Sequence, residues 1–193
     1  MAGDAAPKSY VSYADFLAME RESVTRHEWL DGVIYKYPES TIAHAGLSAA
    51  VSAEIHNNIR GNRCSVYSCN LRLRVLATGF STYPDLTVVC KALELDPEDA
   101  EAVTNPKLIT EIFSPATEAR DRGHKFEHYR RIPSLAEYVL ISESKPYIEV
   151  WRRNAAGRWE LAEEALTGQT AQLASIECTL SVDEIYTDPL SAA

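Results

Sequence analysis

The sequence predicts an α/β domain in which helices flank a mixed β-sheet, and three observations carry that prediction. Leu47, Val51, Ile55 and Ile59 recur every four positions, which gives a helix with one buried stripe. The runs "DLTVV", "KLITEIF", "EYVLIS" and "YIEVWRR" are short, apolar and rich in β-branched or aromatic residues, as strands are. These stretches interleave over 193 residues, enough for one well-filled domain and short for two. Residues 1–10 are expected to form a flexible tail, leaving 11–193 as a single domain.

The elements follow in order. Ser12 with Asp15 three residues on resembles a capping box, and Phe16 and Leu17 give the helix behind it an apolar face. In "HEWLDGVIYKY" the Asp31-Gly32 pair between two apolar runs signals a β-hairpin. The striped helix then ends at Gly61. "SVYSCNLRLRVL" reads as one alternating strand, with Leu71, Leu73 and Val75 inward and Arg72 and Arg74 outward. Two strands frame the acidic stretch "KALELDPEDAEAVTN", which is expected to be a solvated loop. The segment "SPATEARDRGHKFEHYRRIP" predicts a basic helix stopped by Pro133. Three consecutive strands follow, the last two joined by a turn at residues 154–157, and Ser181 with Glu184 caps a short final helix.

Composition narrows the class. With 46% hydrophobic and 24% charged residues, extensive disorder is not expected. A net charge of -9 argues against a protein that coats duplex nucleic acid by charge alone, although a metal-recruiting site would escape that objection. The four cysteines form no zinc-type pair, and Cys90 and Cys178 read as small core residues of a reduced, cytoplasmic protein. No signal pattern and no membrane-length apolar run is present.

Two carboxylates stand where burial makes them costly. Asp85 opens a strand directly after Pro84, and Glu111 lies mid-strand between Ile109 and Phe113. If the two strands neighbour each other, a spacing of roughly 4.8 Å lets both acids grip one ion. Hard oxygen ligands suit Mg²⁺ or Mn²⁺. The alternative is that each acid accepts backbone hydrogen bonds or pairs with an arginine. Lys125 falls level with Glu111 if its helix packs back over the sheet, with Asp121 and Tyr129 one turn to either side. The bland fate of that lysine is to face solvent, as His124 and His128 are expected to do.

The ordered set "YPDLTVV", "LITEIFSP" and "DRGHKFEHYRR" followed by "PSLAEYVLIS" resembles the motifs of the Uma-type endonuclease family, a branch of the PD-(D/E)XK restriction endonuclease-like superfamily. "RHEWLDGVIY" and His44 also match its opening pattern. The likeness runs from about Tyr13 to Trp151. It implies a restriction endonuclease-like core and metal-dependent cleavage of DNA by a homodimer. It further implies Asp85, Glu111 and the backbone carbonyl of Ile112 as ligands for Mg²⁺ (or Mn²⁺), and Lys125 as the catalytic amine. Glu28, His44 and Tyr129 are lesser candidates, Glu28 as a further ligand or a water-orienting acid. One departure stands out: the superfamily's lysine two residues after the second acid would fall at Phe113, and the Uma-type branch is similar in lacking it and carrying a lysine on the next helix. That substitution and the acidic surface also fit a rival, a catalytically silent binding or regulatory module with a nuclease fold. A third reading is a structural protein pairing through its C-terminal strands.

Overall fold

The computed structural model describes residues 10–187, so the expected tail lies, apart from Tyr10, outside the described residues. Helix α1 (Tyr13–Glu22) starts where expected, the Ser12 side chain accepting from the N–H of Asp15. Strands β1 (His27–Leu30) and β2 (Val33–Lys36) form the hairpin. Asp31 and Gly32 both take positive φ there, 48° and 78°, as a tight two-residue turn requires. Helix α2 (Ile42–Asn58) is capped by Thr41, which accepts from the N–H of His44, and it buries Leu47, Val51 and Ile55.

The stretch expected to be one strand is two. β3 (Cys64–Ser68) and β4 (Arg72–Val75) belong to different sheets, with the chain turning between them. After β5 (Phe80–Thr82) come β6 (Leu86–Cys90), β7 (Ala102–Val103) and β8 (Leu108–Phe113). A π-helical turn, Arg120–Lys125, runs into helix α3 (Phe126–Tyr129). β9 (Glu137–Ser142), β10 (Tyr147–Arg153) and β11 (Trp159–Leu166) are the three expected strands, and the chain continues through β12 (Thr170–Leu173), β13 (Cys178–Ser181) and α4 (Val182–Tyr186).

One sheet has the order β2-β1-β5-β4-β7 and the larger one β11-β10-β9-β8-β6-β3, while β12 and β13 pair separately. The larger sheet is mixed: β8 and β9 run parallel, and its other neighbours are antiparallel. Its two faces serve different layers. Leu108 and Ile112 join the α2 stripe and α4 in one core, whereas Ile109 and Phe113 pack with Phe126, Tyr129 and the smaller sheet in another. Burying such a side chain contributes about 1.5–3 kcal/mol, so the faces hold strand register firmly. Glu111 shares the second face by the period-two alternation of a strand, and this sends its carboxylate toward α3.

Arg72 and Arg74 do not face solvent. Both are buried beneath the acidic stretch, whose Asp99 and Asp96 turn inward to pair with them at 2.6 Å and 3.1 Å. The strand face read as solvated is covered by its own sequence neighbour. Cys90 is not simply a core residue of a reduced protein, because it stands opposite Cys64 across β3 and β6 and is disulfide-bonded to it. Cys178 is free and buried, as a core residue should be. No helix among the described residues is long and apolar enough to cross a membrane.

Candidate active site

The chain passes from one sheet to the other at Tyr83-Pro84-Asp85, between β5 and β6. Pro84 offers no N–H to either ladder, which lets the strand end there and delivers Asp85 to the seam between the sheets. Leu86 on β6 pairs with Thr110 on β8; one step further along this antiparallel register sets Asp85 beside Glu111. Two acids separated by 25 intervening residues thus meet at one point of the sheet.

Asp85 is buried and firmly held. Its Oδ2 accepts the backbone N–H of Ile112 at 2.7 Å, while Oδ1 lies 3.1 Å from His44 Nε2 and 3.4 Å from the Tyr37 hydroxyl. Glu111 accepts from the Tyr129 hydroxyl at 2.7 Å and meets Lys125 Nζ at 3.0 Å. Lys125 reaches Asp121 as well, at 3.2 Å. Neither Asp85 nor Glu111 is paired with an arginine among the described residues. Asp85, Glu111, Ile112, Asp121, Lys125 and His44 line one cleft of about 90 Å³, walled by residues 37–41 after β2 and by Glu143 after β9.

The charge balance is lopsided. Asp85, Glu111 and Asp121 all act on Lys125 in a buried setting, His44 is the one basic partner of Asp85 among the described residues, and Arg120 is paired with Glu28. The cluster is therefore unfavourable without further positive charge. Burial, with Asp85 and Asp121 adding to it, pushes the Glu111 carboxyl up to about 8 despite the pull of Lys125. Burial opposes the charge on Lys125, but Glu111, Asp121 and Asp85 outweigh it and hold the amine above its usual range. The hydrogen bond to Asp85 likewise raises His44, against the effect of its burial.

That imbalance and the donor chemistry fit a divalent cation. Among the described residues no three His, Cys, Asp or Glu side chains are grouped to cage a metal by themselves. Magnesium does not ask for such a cage: it is commonly bound by one or two carboxylates, retained waters and substrate phosphate. Asp85 and Glu111 are oxygen donors on one cleft wall, and each carboxylate can accept more bonds than its present partners use.

The structure therefore brings Asp85, Glu111, Ile112, Lys125, His44 and Tyr129 together, and leaves Glu28 out. Glu28 is fully buried on β1, does not line the cleft, and meets Thr82 and Arg120 instead. His128 is half-buried against Phe80 with its Nδ1 on Thr78, so only His124 is exposed as expected. Tyr37, Arg120 and Glu143 were not legible as site residues. Tyr37 is recruited only because the β2–α2 connection folds over Asp85, a tertiary event with no local signature.

A family model described as "Uma2: Putative restriction endonuclease" matches residues 13–183. An uncharacterized protein of Synechocystis sp., slr1290, is 32% identical over 184 residues, 94% of each chain. A second from the same organism, sll1609, is 28% identical over 160 residues, 83% of this chain and 89% of its own. Among solved structures, a crystal structure titled as "a putative nuclease belonging to DUF820" from Anabaena variabilis superposes with a TM-score of 0.71 at 17% identity, covering 90% of this chain and 96% of that one. That likeness establishes the restriction endonuclease-like fold. With the family model spanning most of its length, and its fold shared with a nuclease-titled structure, the chain belongs to the Uma2 family of restriction endonuclease-like proteins.

Proposed function

We propose that the protein is a metal-dependent endonuclease that hydrolyses phosphodiester bonds in DNA, with Asp85 and Glu111 as the side chains that hold Mg²⁺ or Mn²⁺ and Lys125 as the catalytic amine. The observation that carries this reading is the convergence of two strand-borne acids and one helix-borne lysine on a single cleft. The backbone carbonyl of Ile112, next in chain to Glu111, is a further ligand on the family's pattern.

When bound, the ion neutralises the phosphate and makes a coordinated water more acidic. The chain's own groups do the rest. Asp85 is kept in one orientation by the Ile112 N–H and His44, and the Tyr129 hydroxyl does the same for Glu111. Lys125, held charged by its carboxylate neighbours, orients the attacking water and offsets negative charge growing on the phosphate oxygens. The water oxygen bonds to phosphorus, the ester oxygen leaves, and the water's proton ends on that leaving oxygen. The lysine does on the helix what the superfamily's strand lysine does from position 113, where this chain has Phe113. The family pattern also makes the active species a homodimer, each site cutting one strand.

Asp85→Asn should lower metal-dependent cleavage of plasmid DNA by about a thousandfold, the loss expected when a principal electrostatic group is removed. Its melting temperature should stay near that of the parent. Cleavage surviving at parental rate in Asp85→Asn would overturn the assignment.

A further inference from the structure

Arg120 lines the same cleft as Asp85, Glu111 and Lys125, yet it is turned to a different partner. Among the described residues its guanidinium meets one side chain, the fully buried carboxylate of Glu28 on β1. The contact is an ion pair made through one terminal nitrogen, Nη2. The remaining donors, on Nε and Nη1, meet no other side chain among the described residues.

The anchor itself is fixed from below. Thr82 on β5 donates to Glu28 Oε1 at 2.5 Å. The two cations of the cleft differ in exposure. The Lys125 side chain is 6% exposed, whereas that of Arg120 is 29% exposed and reaches the mouth.

We infer that Arg120 is a phosphate ligand of this cleft, with Glu28 as its positioning residue, and that it grips a backbone phosphate of the nucleic acid beside the one at Asp85 and Glu111. The inference rests on the nuclease reading and adds to it. A planar guanidinium with free donors, held by a carboxylate the solvent never reaches, is preorganised for a phosphate oxygen pair. A purely structural Arg120, present only to neutralise Glu28, would contribute to stability and not to binding.

Salt dependence separates these roles. Fluorescence-anisotropy titration of a short DNA duplex, with Ca²⁺ as the divalent ion, gives Kd at several KCl concentrations. Loss of one phosphate contact in Arg120→Gln should reduce the slope of log K against log[salt] by about 0.9 and weaken low-salt binding about tenfold. Arg120→Lys keeps the charge and should keep the slope. Because Arg120→Gln leaves Glu28 buried and unpaired, the double variant Arg120→Gln/Glu28→Gln removes both partners and should show the same reduction in slope. Arg63, exposed at the far end of β3, is the control, and Arg63→Gln should leave the slope alone. An unchanged slope in the Arg120→Gln variants, with only a lower melting temperature, would overturn the inference while leaving the nuclease reading intact. Equal slope losses in the Arg63 and Arg120 variants would overturn it too. A parent protein that neither binds nor cuts DNA would overturn both.

Discussion

Two buried acid–base clusters in this molecule are built from the same chemistry and balanced differently. Under the acidic stretch, Arg72 pairs with Asp99 and Arg74 with Asp96, one guanidinium to each buried carboxylate. In the cleft, Glu111 and Asp121 share a single Lys125, and Asp85 nearby has only His44 as a basic partner among the described residues. The first cluster is electrically closed: it fastens β4 to the covering segment, and Arg74 also lies over the Tyr13 ring at 3.6 Å. The second is left with excess negative charge on a wall that a ligand can reach. A matched cluster reads as a clasp and a mismatched one as a receptor, since only the latter has something to gain from an arriving cation.

Breaking the clasp should produce the largest stability effect. Arg72→Ala strands Asp99 in the interior, and removing one partner of a buried pair costs about 3–5 kcal/mol, measurable by urea denaturation. Arg72→Met with Asp99→Asn should recover most of that loss, because no uncompensated charge is left behind. Glu111→Gln should behave in the opposite sense, leaving the metal-free protein as stable as the parent or more so. If Arg72→Ala and Glu111→Gln destabilise equally, the distinction between clasp and receptor fails.

A subtler effect concerns pH. The Glu111 carboxyl has an ordinary value of 4.5 and is pushed up to about 8 in the fold. Between those values the folded chain holds a proton that the unfolded chain has released, so stability of the metal-free protein should fall as pH rises through that window. Thermal melts from pH 5 to pH 8 should show this decline in the parent and a flatter profile in Glu111→Gln. Saturating Mg²⁺ should flatten the parent's profile too, since the ion favours the charged carboxylate. A parental profile already flat without metal would contradict the excess negative charge.

The same two clusters show how far the sequence could be read. Asp85 was visible because a Pro-Asp step opens an apolar run, and Glu111 because an acid interrupts one. Lys125 was visible because helix rise brings it level with Glu111. In each case the signal is a local conflict between charge and burial. The π-helical turn that carries Arg120 and Lys125 has no such signature; Gly123 marks only a weak point in the helix. Arg72 and Arg74 misled for the complementary reason. Strand alternation gives two faces and cannot say that a segment some 25 residues later will cover the second one. Glu28 was visible as an acid in a strand, but its partner lies on a distant helical turn, and only the fold reveals that it meets Arg120 and does not itself line the cleft. The Cys64–Cys90 bond depended equally on the pairing of β3 with β6.

Calorimetric titration with Mn²⁺ tests the receptor most directly, because it asks for the cation and not for a cut strand. The account predicts saturable heat for the parent and for Arg72→Met with Asp99→Asn, and none for Asp85→Asn or Glu111→Gln. Absence of saturable heat in the parent, or heat that persists undiminished in both cleft variants, would contradict it.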